Sequence, residues 1–174
     1  MRVYEIVQRR GVGCTAYLEN LPAQYNLYDK STIQAKFTPM PYELVTDYLV
    51  QNDIFISGRM KSILDKLEPR LYAKKIDIYN NREFEYWLVQ PKIFPALHHT
   101  LSLKDKSALI NPILSEKFVQ YHNVFSVIGL SKKRWFVSLK TVEYLLRYHI
   151  TGFYFKEVVL GDSPVFDAEE FNYE

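Results

Sequence analysis

The sequence predicts an α+β fold, a mixed β-sheet with few helices, in one domain over residues 1–174. Three observations predict it. Short apolar runs rich in rings recur along the chain, which carries Tyr 14, Phe 11 and Trp 2; such residues pack well across a pleated sheet. Few segments show a helical period. A strand–serine–helix–strand pattern occurs twice. Apolar residues at 48% and charged residues at 24% suit a globular chain, and one of this length buries roughly 70% of its unfolded surface.

Val3–Val7 reads as the first strand. Residues 20–41 carry Pro22, Pro39 and Pro41 among polar groups and read mostly as loop. Tyr42, Val45 and Leu49 recur at helical spacing, which predicts a short helix over Tyr42–Gln51. Ile54-Phe55-Ile56 is an extended apolar run. Met60, Ile63, Leu64 and Leu67 then mark one helical face, and Pro69 stops the helix. Leu71–Tyr79 and Phe84–Val89 read as strands joined by a turn at Asn80-Asn81-Arg82-Glu83. Phe94–Leu103 is extended but broken by Pro95, and Val124–Leu130 is a further strand. Trp135-Phe136-Val137 leads into a helix over Leu139–His149, whose apolar face takes Val142, Leu145, Leu146 and His149. Gly152 ends that helix, and Phe153–Val159 is the last strand.

The two helical segments sit in repeated units, over about residues 54–79 and 135–159. Phe55-Ile56-Ser57 aligns with Phe136-Val137-Ser138 at a spacing of 81, which also matches Leu64 with Leu145, Tyr72 with Phe153 and Lys75 with Lys156. A serine at the strand-to-helix corner accepts from the first free N–H groups of the helix. A helix between two strands is a crossover, which joins parallel strands. Ile113-Leu114-Ser115-Glu116-Lys117-Phe118 is a weaker third echo.

Charge and chemistry narrow the function. Lys+Arg of 22 against Asp+Glu of 20 gives a net +2, which argues against a nucleic-acid coat. The single cysteine, Cys14, forms no internal disulfide and fits a reducing compartment. Neither a signal peptide nor an apolar run of ~20 residues is visible, so the expectation is a cytoplasmic protein without a membrane partner. Gly11-Val12-Gly13-Cys14-Thr15-Ala16 fits G-x-G-x-x-A, but Gln8-Arg9-Arg10 is a poor buried strand end and Pro22 cuts the following helix short, so the plain turn is preferred and no cofactor is expected. His98 and His99 are neighbours that point to opposite faces of a strand, and His122 and His149 show no ligand spacing, so no metal is expected. Ser57, Ser115 and Ser138 lie outside any G-x-S-x-G and read as caps, not nucleophiles. No catalytic set emerges, and the expectation is a non-enzyme.

Two stretches read as binding surfaces. Lys132-Lys133-Arg134 beside Trp135 has the groups to hold phosphates and stack a base, although a solvated turn suits the near-neutral charge better. The C-terminal stretch interleaves Asp162, Asp167, Glu169 and Glu170 with Phe166, Phe171 and Tyr173 and has no Lys or Arg. Acids with aromatic anchors suit docking on a basic protein surface.

Ile56-Ser57 leading to Leu64, Pro112–Phe118, and Val137-Ser138 running through His149-Ile150-Thr151-Gly152-Phe153 to Val158 resemble the immunity proteins of bacterial polymorphic toxin systems. The group resembled is immunity protein family eleven or a close relative, over about residues 40–160. The resemblance implies a protein that binds a cognate toxin domain and occludes its active site, without catalysis. A small nucleic-acid-binding regulatory module is the alternative, and homo-oligomerisation is left open.

Overall fold

The computed structural model describes residues 1–9, 16–22, 31–39, 46–69, 71–81, 83–98, 110–131 and 133–161. Over these the fold is α+β, with two mixed sheets and three helices. The strands are β1 (Val3–Gln8), β2 (Ala16–Glu19), β3 (Ile33–Pro39), β4 (Tyr48–Val50), β5 (Ile54–Ser57), β6 (Tyr72–Ile78), β7 (Tyr86–Gln90), β8 (Lys92–Phe94), β9 (Ile113–Ser115), β10 (Val124–Val127), β11 (Trp135–Ser138) and β12 (Phe153–Gly161). The helices are α1 (Gly58–Leu67), α2 (Glu116–Val119) and α3 (Leu139–Arg147). No helix among the described residues is long and apolar enough to cross a membrane.

Sheet one runs β8-β10-β11-β1-β12-β9, and sheet two runs β2-β3-β6-β7-β5-β4. In each unit the two strands flanking the helix are parallel but not adjacent. β5 and β6 both pair antiparallel with β7, which lies between them. β11 and β12 both pair antiparallel with β1 in the same way. The likeness extends outward: β4 and β10 pair antiparallel with β5 and β11, and β3 and β9 pair parallel with β6 and β12. The two halves therefore share a five-stranded order. Their central strands differ in origin, since β7 follows β6 directly whereas β1 is the first strand of the chain.

The register corrects the sequence alignment after the helices. Trp87 lies opposite Ile56 and Lys75, while Tyr4 lies opposite Val137 and Glu157. Lys75 therefore matches Glu157, not Lys156, and Tyr72 matches Tyr154, not Phe153. The second half holds one extra residue between helix and strand. A one-residue slip moves a strand's side chains to the other face, and in this register buried Ile76 matches buried Val158.

Burial explains the other departures. Ile33, Ala35 and Phe37 are buried and alternate with exposed Gln34 and Lys36, so this part of the expected loop is strand β3. Tyr48–Val50 is strand β4, not helix, because Tyr48 enters one core and Leu49 another; a run buried on both faces shows no strand period. Val124–Val127 ends sooner than expected, at a turn containing Gly129.

A central core holds Ile54, Ile56, Met60 and Leu64 of one half with Trp135, Val137, Val142 and Leu145 of the other, so α1 and α3 meet between the sheets. Phe55 and Phe136 project from the opposite faces into separate cores. This alternation makes β5 and β11 the spine of each half.

Helix α3 ends before the predicted His149. Ile150 N–H donates to Leu145 O at 3.1 Å and His149 N–H to Leu146 O at 3.0 Å, the paired closure of a Schellman motif. His149 takes the left-handed position at φ 51, where glycine is usual because a Cβ costs about 1–2 kcal/mol. Gly152, at φ 99, is required: a Cβ there would stand 2.6 Å from Thr46 Cβ. His149→Gly should therefore raise stability by about 1 kcal/mol, seen as a higher urea midpoint at unchanged slope; a lower midpoint would contradict this account of the turn.

Candidate functional site

The site grows from the two serine corners. Ser57 accepts the Met60 N–H at 3.2 Å, and Ser138 accepts the Thr141 N–H at 3.3 Å, so both are side-chain N-caps. Ser115 heads the four-residue α2 but makes no cap bond, and its buried hydroxyl has no partner among the described residues. The third echo is therefore not a third unit.

Each capping serine is held from below by a residue just before the neighbouring strand. Ser57 Oγ donates to Asp47 Oδ1 at 2.5 Å, and Ser57 N–H to Asp47 O at 2.9 Å. Ser138 Oγ donates to Asn123 Oδ1 at 3.1 Å, and Ser138 N–H to Asn123 O at 3.1 Å. The same two side chains then reach the opposite half. Asp47 Oδ2 accepts the N–H and hydroxyl of Thr151, just past α3, at 2.9 and 3.2 Å. Asn123 Nδ2 donates to Leu67 O, the last residue of α1, at 2.8 Å.

Residue type follows partner type. Among the described residues the partners of Asp47's carboxylate all donate, which a carboxylate satisfies. Asn123 faces one hydroxyl and one carbonyl, which needs an amide. Ser57→Ala and Ser138→Ala should each cost about 1 kcal/mol. Asn123→Asp, which sets a carboxylate against the Leu67 carbonyl, should cost about 2 kcal/mol by denaturant titration. Equal stability of Asn123→Asp and wild type would sink the assignment.

The two corners differ above this shared frame. Around Ser138, buried Thr141 fills the space and bonds Asn123 O at 3.0 Å. Around Ser57 a cleft of about 590 Å³ opens, lined in part by Asp47, Arg59, Glu83, Tyr86 and His149. Gly58 stands at its edge, where the other half has Leu139; a Cβ on Gly58 would meet Glu85 Oε2 at 2.9 Å. Arg59 Nη2 bonds His149 O at 3.0 Å and lies 3.4 Å from Asp47 Oδ2, a cation at the carbonyl end of α3. The Tyr86 hydroxyl donates to Thr46 O at 2.5 Å. Burial pushes that phenol above its ordinary value, and the Asp47 charge adds to the rise.

The other sequence candidates scatter. His122 stacks on Phe94 with centroids 3.9 Å apart, and burial pulls its imidazole below the ordinary range. His98 packs where Gly161 leaves room, and among the described residues no group of three metal-binding side chains exists. Trp135 is 1% exposed in the central core, so its ring offers no stacking face. Arg134 is forked onto Glu5 at 2.6 and 2.7 Å, and Lys133 is exposed. Lys132, Cys14, His99, residues 11–15 of the G-x-G-x-x-A stretch and the C-terminal candidates Asp162, Phe166, Asp167, Glu169, Glu170, Phe171 and Tyr173 lie outside the described residues, while Ala16 opens β2.

Sequence reasoning missed Asp47, Asn123, Arg59 and Thr151. Asp47 stands 10 residues before its serine and Asn123 15 before its own, so no common spacing marks them. Comparison with protein-family models, curated proteins and solved structures finds no match to this chain.

Proposed function

We propose that the chain is a binding protein of the immunity type, acting in the cytoplasm by covering the active site of a toxin domain and doing no chemistry itself. One observation supports it. The outer face of α3 exposes Leu139 and Leu146, seven residues and two turns apart, followed by exposed Tyr148. Large apolar side chains aligned on a helix, with Arg147 and Arg59 beside them, are the residue types that anchor protein interfaces. The polar corner fits the same reading. The Ser57 hydroxyl gives its proton to Asp47 and accepts the Met60 N–H, which commits it to the helix cap.

In this reading α3 anchors the partner and the acidic segment 162–174 steers a basic toxin surface toward it. The test co-expresses the chain with the toxin domain encoded by the gene directly upstream. A stable complex should form. Leu146→Asp should weaken it at least tenfold with melting temperature unchanged, and deletion of 162–174 should slow association at low salt only. Failure to form a complex, or indifference to Leu146→Asp, overturns the reading.

A further inference from the structure

β2 and β4 are the outermost strands of sheet two, at opposite ends of its order. Yet residues 17–21 and 49–52 line one cleft of about 650 Å³, and Leu18 and Leu49 enter the same core. Sheet two is therefore curled, and the cleft is the seam where its two edges face each other without pairing. Gln8, the last residue of β1 in sheet one, reaches into the seam, and its Oε1 accepts the Val50 N–H at 3.2 Å. A fully closed sheet has no edges, and the mouth of such a barrel is a favoured place for a small ligand.

The seam holds a carboxamide that the fold does not use. Both polar side-chain atoms of Gln51 are buried, and neither has a hydrogen-bond partner among the described residues. Shielding a polar group without a partner is costly, and the great majority of such groups in folded proteins are bonded. Tyr48 and Ser115 each leave one buried hydroxyl unpaired as well, but neither lines this cleft, and Gln51 leaves a donor and an acceptor together. Two neighbours are half used. Gln8 spends its oxygen on Val50, and Asn20 its nitrogen on the Tyr79 hydroxyl at 2.9 Å, so the nitrogen of one and the oxygen of the other make no bond among the described residues. No Lys, Arg or His among the described residues lines the cleft. Its one acid, Glu19, is already held by Thr38 Oγ1 at 2.8 Å and Lys36 Nζ at 3.4 Å.

We propose that this seam binds an uncharged saccharide, its hydroxyls on Gln51, Gln8 and Asn20 and one face of its ring on Tyr17, which is 55% exposed at the cleft. With no cation on the lining and its one carboxylate occupied, the seam suits neither a phosphate nor an ammonium. A hydroxyl both donates and accepts, so neighbouring hydroxyls satisfy the two atoms of Gln51 in either order. A planar base presents a fixed edge and two faces to cover, whereas Tyr17 is the one aromatic residue among the described residues of the lining. A free sugar and the end of a glycan chain share this chemistry. The seam shares no residue with the α3 surface of Leu139, Leu146, Arg147 and Arg59, so saccharide binding and toxin binding are separately testable.

The test titrates the full chain by calorimetry with a panel of neutral monosaccharides and a panel of neutral disaccharides, with adenine and glycerol as controls. At least one saccharide should bind saturably with Kd of about 1 mM or tighter, and neither control should. Saturation by monosaccharides alone identifies a free sugar, and tighter binding of a disaccharide identifies a chain end. Gln51→Met, which keeps the side chain's length and removes the amide, should weaken binding at least tenfold while raising the melting temperature, because the folded chain no longer shields an unpaired group. Tyr17→Ala should also weaken binding at least tenfold. Tyr154→Ala, an equally exposed tyrosine on β12 of sheet one, should leave binding unchanged. The proposal is overturned if no saccharide saturates, if adenine or glycerol binds as well, if either Gln51→Met or Tyr17→Ala binds normally, or if Gln51→Met lowers the melting temperature, which would show an amide already satisfied by the fold.

Discussion

Asp47 and Asn123 each hold a capping serine of their own half with one oxygen and reach the far end of the other half's helix with the other arm of the side chain. The halves are thereby fastened twice, once in each direction. Both fasteners sit beside the central core, where an unmade bond to a shielded polar group costs about 1–3 kcal/mol. Each latch therefore fixes the start of one helix and the end of the other at once. The shared core of Ile56, Met60 and Leu64 with Val137, Val142 and Leu145 depends on that placement.

The duplication also accounts for features that look arbitrary one at a time. The ion pair Lys75–Glu85 in one half becomes Arg2–Glu157 in the other, at matching positions with the charges exchanged. Gly58 N–H donates to Glu85 O where Leu139 N–H donates to Arg2 O. Exposed ion pairs contribute little, so their order is free to vary, whereas the backbone bonds that set the register recur. At the serine corners divergence lies above the frame: a packed threonine at one, a charged cleft at the other.

Much of this was legible in the amino-acid order. The apolar run, the serine and the helical face of Met60, Ile63, Leu64 and Leu67 are local, and local periodicity carried the two units and their caps. The strands after the two helices were found, but they were matched to each other one residue out of step, because spacing alone does not register the extra residue between helix and strand in the second half. The β3 alternation of Ile33, Ala35 and Phe37 was present but outweighed by the prolines around it. The latches were not legible, since Asp47 meets Thr151 across 104 residues and Asn123 meets Leu67 across 56. Nothing in the local pattern distinguishes them from surface polar residues.

The account stands on the claim that the latches make two similar halves into one cooperative structure. Native-state hydrogen exchange tests it most directly, read at the backbone amides of Phe55 in β5 and Phe136 in β11. Both should exchange with the same opening free energy, and Asp47→Ala, though it sits in the first half, should lower both by the same amount. Loss of protection at Phe55 with Phe136 unchanged would show two halves that merely touch, and would contradict the account.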